Sequence, residues 1–176
     1  MEDKQVTSFS TGIRYGAILG VVTILFMVLS HVLGYSDMSN TDVSGSIVVS
    51  LVQYLMVFGV LYMGLKYYRD SNEGLMTFGE GLSTAMFIAL FSGIIYAIAT
   101  YIYAANFIDP SELMDVVAES TGENLEDMDE EAAEMMSGMM SAVASPSFMA
   151  ITAFIMRIFG GLIFGAIASL ILKKGD

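Results

Sequence analysis

The sequence predicts an all-α integral membrane protein, a four-transmembrane-helix bundle that forms a single membrane domain over residues 1–176. The chain has a mean hydropathy of +0.67 and 55% hydrophobic residues, more than a water-soluble domain of this size carries. Apolar stretches long enough to cross a bilayer as helices lie at about 13–33, 46–65, 82–105 and 148–172. Each stretch is continuous, without the alternating pattern of a transmembrane β-strand.

The positions of the basic residues predict how the four spans are oriented. The segments 34–45 and 106–147 contain no Lys or Arg. With one exception, the basic residues lie on the opposite side of the membrane, at Lys4, Arg14, Lys66, Arg69, Lys173 and Lys174. By the positive-inside rule, both termini are expected in the cytoplasm. The first apolar stretch is longer than the core of a cleavable signal peptide, and it is expected to remain as a span.

The acidic residues are concentrated on the predicted outer side. The chain has 19 Asp and Glu residues and a net charge of -12, and most of the acids lie in the segment 106–147. This charge argues against nucleic acid, or anionic lipid head groups, as a partner of that face. Because the chain has no Cys, it has no disulfide and no thiolate metal site.

Small residues recur at four-residue steps in three of the spans and predict close helix packing. Lipid gives no hydrophobic drive for helix association, so helices that associate closely need small residues where their backbones meet. These features favour a tight monomeric bundle, and they leave a homo-oligomer open as the alternative. The candidate packing residues are Gly12, Gly16 and Gly20 in span 1, Ala89 and Gly93 in span 3, and Gly161 and Gly165 in span 4.

Arg157 is the basic residue that lies deep inside a span, whereas Arg14 lies at the edge of span 1. Arg157 is about 13 Å from the predicted outer boundary, at a rise of 1.5 Å per residue. An ionised side chain at such a depth costs at least ~2.5 kcal/mol on insertion scales, so it needs partners or water. Its helical stripe also holds Ala153, Gly160 and Phe164 and is expected to face the bundle.

Polar side chains of the other spans reach a similar depth and predict a polar pocket around Arg157. No carboxylate lies at that depth in a span, so the counter-ion is expected to be Asp109, another acid of 106–147 or an external anion. Two interpretations follow: a structural arginine that pins the outer segment, or an anion or lipid site. The candidate pocket residues are Arg157, Gln53, Tyr96, Thr100, His31 and Asp109.

The insert 106–147 is predicted to form an extracytoplasmic acidic helical hairpin. Its first helix would begin at Asp109-Pro110, and its second would cover about 125–142, with Met135, Met136 and Met139 facing the bundle. Ser145-Pro146 would then break the chain before span 4. The Met cluster and the acidic run 126–131 fit packing and a solvated face better than copper or calcium binding, so no metal or cofactor is expected.

Several short motifs resemble a family of bacterial membrane proteins known as domain of unknown function 4199, found mainly in Bacteroidota. The motifs are Thr-Phe-Gly-Glu-Gly at 77–81, Tyr-Ile-Tyr at 101–103 and Phe-Ile-Asp-Pro at 107–110, followed by the acidic insert. The resemblance covers nearly the whole chain. It implies a four-helix protein of the bacterial inner membrane, and it supplies no activity or catalytic residues.

The sequence favours a non-enzymatic structural or accessory module whose outer acidic hairpin meets a protein partner. The alternative is a small oligomeric transporter, or a lipid- or anion-binding protein that uses the pocket around Arg157. An enzyme is not expected, because the chain has one His, no combination of nucleophile and base at a plausible depth, and no pair of intramembrane aspartates. The largely apolar inner halves of the spans argue against a simple pore.

Overall fold

A computed structural model describes residues 6–35, 43–109 and 129–174 of the protein. In these ranges the chain forms helices α1 (Ser8–Val32), α2 (Val43–Ser71), α3 (Phe78–Phe107), α4 (Glu130–Val143) and α5 (Pro146–Leu172). All except α4 are long and apolar enough to cross a membrane. For the described residues, the prediction of an all-helical fold with four helices able to span a membrane is therefore confirmed, and α1, α2, α3 and α5 correspond to the predicted spans 1 to 4.

Capping residues set the helix starts, which lie outside the apolar stretches. The Thr77 hydroxyl accepts a hydrogen bond from the backbone N–H of Glu80, and the Glu80 carboxylate accepts one from the Thr77 N–H at 2.8 Å. This capping box starts α3 four residues before the predicted span. Ser145 caps α5 by accepting from the Phe148 N–H at 3.3 Å, with Pro146 following as predicted. Hydropathy marks the membrane-embedded part of a helix, whereas its caps mark its ends.

The small-residue stripes of the sequence lie where α1 and α5 pack against α3. A Cβ atom at Gly12 or Gly16 of α1 would overlap the side chain of Phe87 or Phe91 on α3. On the other side of α3, a Cβ atom at Gly161 would overlap Ala89, one at Gly165 would overlap Ala85, and one at Gly93 would crowd Phe154. Gly20 has the same relation to Ile95. The predicted packing residues thus bring helices together within one chain.

The N-terminal segment, the α2–α3 turn and the C-terminal segment meet at one end of the bundle, here called the basic end. Met76 and Lys174 form an antiparallel bridge, with N–H to carbonyl oxygen distances of 3.0 and 2.9 Å. The Asn72 side chain donates a hydrogen bond to the Val6 carbonyl at 3.0 Å. Two hydrogen-bonded connections therefore join the three segments.

The buried core lies mainly in the half of the bundle nearest the basic end. Here α2 packs against its neighbours, and Leu61 and Leu65 are fully buried. Of the described side chains of α2 before Val57, none is buried, and Leu55 is 70% exposed. In the other half of the bundle, called the acidic half, α2 is thus loosely packed. The core comprises Leu19, Val57, Val60, Leu61, Leu65, Tyr68, Met76, Ala85, Ile88, Ala168 and Leu172.

The described part of the acidic insert is helical, but its buried face differs from the prediction. Helix α4 begins inside the predicted second helix 125–142 and ends one residue beyond it, at Val143. Met140 and Ala144 are buried, whereas Met135 and Met139 are exposed. The prediction that Met135 and Met139 face the bundle is therefore wrong: Met140 lies near the close connection to α5 and takes the buried position. The predicted first helix of the hairpin, after Asp109, lies outside the described residues.

Candidate anion-binding cleft

Three helices place a polar side chain at a similar distance from the basic end. At a rise of 1.5 Å per residue, Arg157 lies about 22 Å from the end of α5, and Gln53 and Tyr96 lie about 27 Å from the basic ends of α2 and α3. Because the bridge between Met76 and Lys174 ties the α2–α3 turn to the end of α5, these distances share one reference. The three side chains therefore lie in one layer.

The side chain of Arg157 is buried between α3 and α5, with 7% of its surface exposed. Gly93 leaves room for the aliphatic stem, since a Cβ atom at Gly93 would lie 3.4 Å from the Arg157 Cγ. The guanidinium carbon lies 4.6 Å from the centroid of the Tyr96 ring. This is a cation–π contact, and it stabilises the charge without neutralising it.

Arg157 has no carboxylate partner among residues 6–35, 43–109 and 129–174. The ion pair in these ranges joins Arg69 to Asp70 at 2.7 Å, near the basic end. In the same ranges no hydrogen bond from the Arg157 guanidinium is present, although it carries five N–H donors. Its charge is therefore buried but still available to a ligand.

The guanidinium lines a cleft between α2, α3 and α5 with a volume of about 280 Å³, called the Arg157 cleft. Its polar side chains are Gln53, Tyr96 and Arg157, together with Tyr54 and its hydroxyl. Tyr54 and Met156 are 57% and 65% exposed, so the cleft opens on the outer surface of the bundle between α2 and α5. The lining residues are Gln53, Tyr54, Val57, Tyr96, Ala153, Met156, Arg157, Gly160 and Phe164.

The side of the cleft towards the basic end is formed by apolar residues. Val57 is buried there, and the Phe164 ring lies 6.0 Å from the Tyr54 ring and 6.1 Å from the Phe58 ring. Below them, Leu61 is fully buried. The cleft is therefore a recess in the acidic half that ends at the packed core.

The structure brings together three of the six residues predicted for the polar pocket: Arg157, Gln53 and Tyr96. Thr100 lies one turn beyond Tyr96, outside the lining, and its hydroxyl oxygen is buried without a partner among the described residues. His31 lies elsewhere, where its Nδ1 is 2.9 Å from the Tyr103 hydroxyl. Asp109 is exposed beyond the end of α3 and forms no ion pair with Arg157. These three residues do not join the cleft.

The sequence prediction did not include Tyr54 and Met156, which form the mouth of the cleft. Both lie in apolar spans whose surroundings are hydrophobic on every side, so hydropathy gives little information on which way each residue faces. A usable signal was the neighbouring pair Gln53-Tyr54, since a Tyr far from a helix end departs from the usual position of aromatic residues at the membrane interface.

A second, larger cavity of about 380 Å³ lies between α3 and α5. It is lined by Ser83, Met86, Phe87, Leu90, Phe154 and Ile158. No charged residue lines it, and in a bilayer an apolar depression of this kind is filled by acyl chains. In the described ranges, no three His, Cys, Asp or Glu side chains group closely enough to hold a metal ion. The Arg157 cleft is therefore the candidate site, and its donors suit an oxyanion.

A family model described as Protein of unknown function (DUF4199) matches residues 14–174. The match includes most of α1, all of α2, α3 and α5, and the cleft residues Gln53, Tyr96 and Arg157. No curated protein and no solved structure matches the chain. The resemblance found in the sequence is thereby confirmed, and the chain belongs to the DUF4199 family of unknown function.

Proposed function

We propose that this protein is a non-enzymatic module of the bacterial inner membrane that binds an anionic group in the Arg157 cleft. Its four long helices suit a multi-pass membrane protein. The basic residues at one end of the bundle favour a cytoplasmic position for that end and for both termini. The cleft then lies in the outer half of the membrane.

The observation that carries this proposal is the buried charge of Arg157 without an acid beside it in the described residues. Placing the ion at this depth costs at least ~2.5 kcal/mol on insertion scales. The contact with Tyr96 returns about 0.5–2 kcal/mol, which is less than the cost. An anion with two oxygen atoms would offset the remainder through charge-assisted hydrogen bonds to the guanidinium.

Gln53 and Tyr96 support the same role. The Gln53 side-chain amide can donate hydrogen bonds from its nitrogen, and the Tyr96 ring holds the guanidinium in place. The cleft has donors but no carboxylate or imidazole that could act as a general base. This set of groups suits binding better than acid–base catalysis.

The closed side of the cleft argues against the alternative of a channel. A conducting path needs polar groups or water through both halves of the membrane. Towards the basic end, Val57, Leu61 and Phe164 fill the space between α2 and α5 with apolar side chains. We therefore favour a binding function over a transport function.

A second candidate function, as an accessory module that binds a protein partner through its outer insert, is supported by the exposed side of α4. Met135, Met139 and Val143 are exposed and lie at four-residue steps on one face. Flexible, polarisable methionines are common on surfaces that adapt to partners. This function and the anion-binding function use different parts of the molecule and are compatible.

Native mass spectrometry of protein released from its own membrane in a mild non-ionic detergent tests both functions. We expect the wild-type protein to retain an anionic adduct that Arg157→Met loses. Arg14→Met is the matched control, because it removes the same charge from an exposed position where the guanidinium also lies over a Tyr ring, at 4.9 Å. A wild-type protein without an adduct would contradict anion binding. A retained protein subunit that is lost on deleting residues 129–143 would support the accessory function.

A further inference from the structure

We propose that the anion is the head group of a membrane lipid, a phosphate or carboxylate, which enters the Arg157 cleft sideways from the bilayer between α2 and α5. This inference rests on the proposed anion-binding function and names its ligand class. It follows from the position of the mouth, from the order of polarity in the cleft and from its size.

The mouth of the cleft lies on a surface that faces lipid. Tyr54 and Met156 line the cleft and are also exposed on the outside of the bundle. Their neighbours Leu55 and Phe159 are exposed as well, and all four residues belong to helices apolar enough to span the membrane. A molecule that enters between α2 and α5 at this depth therefore comes from the hydrocarbon region.

The polarity of the cleft changes from its mouth to its interior as it does along a lipid. The mouth offers a tyrosine ring and a thioether, whereas the interior offers the Arg157 guanidinium and the Gln53 amide. An amphiphile inserted head first satisfies both regions at once. A free hydrated anion would have to lose most of its water at this mouth, where the Tyr54 hydroxyl is the single polar group that Tyr54 and Met156 offer in return.

The size of the cleft fits a head group and not a whole lipid. Its 280 Å³ corresponds to about nine water molecules at ~30 Å³ each. This volume accommodates a small oxyanion and its linkage, while the acyl chains remain in the bilayer. The guanidinium carbon lies 4.6 Å from the centroid of the Tyr96 ring, and within residues 6–35, 43–109 and 129–174 its N–H groups form no hydrogen bond, so they are free to hold two oxygen atoms of one phosphate or carboxylate.

The chain has no Trp, so one introduced tryptophan reports on lipid at a chosen position. Tyr54→Trp keeps an aromatic ring at the mouth, and Leu55→Trp places the reporter on the next residue, outside the cleft lining. Both proteins are placed in neutral phosphatidylcholine nanodiscs. Tryptophan quenching is then measured with brominated phosphatidic acid, brominated fatty acid or brominated phosphatidylcholine as a minor component.

We expect Tyr54→Trp to prefer one of the two anionic lipids over phosphatidylcholine by about tenfold in apparent Kd, as one charge-assisted interaction provides. The additional change Arg157→Met should abolish this preference, and Leu55→Trp should show none. The preferred lipid distinguishes a phosphate from a carboxylate head group. Equal quenching by all three lipids would overturn the lipid proposal.

Inorganic phosphate added to the aqueous phase separates the two sources of an anion. Failure of phosphate to relieve the quenching supports the lipid. If phosphate binds in an Arg157-dependent manner and no lipid preference is seen, the cleft takes a free anion, and this inference fails while the proposed function stands. If the native mass spectra show no adduct and no brominated lipid is preferred, both fail.

Discussion

The two halves of this bundle differ in how α2 meets the other helices. Near the basic end, α2 is part of a closed core, in which Leu61 and Leu65 are fully buried. In the acidic half, α2 is largely exposed, and the Arg157 cleft opens between it and α5. Helices α1, α3 and α5 pack closely through small residues from the basic end to about the middle of the bundle, and α1 and α3 also meet at the far end, where the His31 Nδ1 lies 2.9 Å from the Tyr103 hydroxyl. One helix is thus fixed at one end and loosely packed at the other.

The stripe of α2 that faces the bundle explains this difference. In the half near the basic end it carries Val57, Leu61 and Gly64, and a Cβ atom at Gly64 would collide with Ile88 on α3. One turn before Val57, the same stripe carries Gln53. An apolar and small surface allows close packing, whereas a polar side chain in an apolar span requires a polar surrounding. The bundle-facing stripe of α2 therefore changes, between Val57 and Gln53, from a surface that packs against other helices to one that lines the cleft.

The largest effect on stability is expected from a bulky side chain placed where α3 and α5 are in close contact. Gly161→Leu should lower the free energy of unfolding by about 3 kcal/mol or more, because the new side chain would overlap Ala89 on the facing helix. The adjacent Gly160 lines the cleft, and a Cβ atom there meets nothing within 4 Å. Gly160→Leu is therefore the control and should unfold near the wild-type value, as measured by circular dichroism in detergent.

Two leucines of α2 compare the halves directly. Leu61→Ala should lower the free energy of unfolding by about 2 kcal/mol. This is the lower end of the range for buried leucines, because lipid replaces part of the lost apolar contact. Leu55→Ala removes the same atoms from an exposed position and should change stability by less than about 0.5 kcal/mol. Equal costs in thermal unfolding would show that α2 is packed in the same way along its whole length.

A smaller effect is expected at the start of α3. Thr77→Ala removes the capping box with Glu80 and should lower the free energy of unfolding by about 1 kcal/mol. Ser83→Ala, at an exposed position inside the same helix, serves as the control. Hydrogen exchange should show faster opening of the first turn of α3 in Thr77→Ala alone, and unchanged exchange would mean that tertiary contacts hold this turn.

The sequence predicted the features that depend on residue type and spacing. The four long apolar helices follow from hydropathy, the close-packing faces of α1, α3 and α5 from four-residue steps of small residues, and the grouping of Gln53, Tyr96 and Arg157 from depth alone. His31 and Thr100 were assigned to the pocket by depth as well, but the pocket also depends on which way each helix face points. Apolar helices give little information on that direction, because nearly every face is hydrophobic.

The helix ends and the face of α4 were harder to predict for a different reason. The residues 66–71 follow the predicted span and include three charged side chains, yet they are still helical, because a helix can continue beyond the hydrocarbon region. In α4, Met135, Met139 and Met140 have the same chemistry. Which of them is buried depends on the two-residue connection to α5, and composition does not determine that geometry.

The measurement that tests the central claim most directly is the thermal unfolding of wild type and Arg157→Met in neutral nanodiscs, with and without phosphatidic acid. The claim is that Arg157 is a buried charge whose partner is an external anion. In neutral lipid, Arg157→Met should then be at least as stable as wild type, since replacing a buried unpaired ion by an apolar side chain is neutral or stabilising. Phosphatidic acid should raise the unfolding temperature of wild type alone. A variant about 3 kcal/mol less stable in neutral lipid, with no effect of phosphatidic acid on wild type, would contradict the claim, because it would mean that Arg157 already has its partner within the chain.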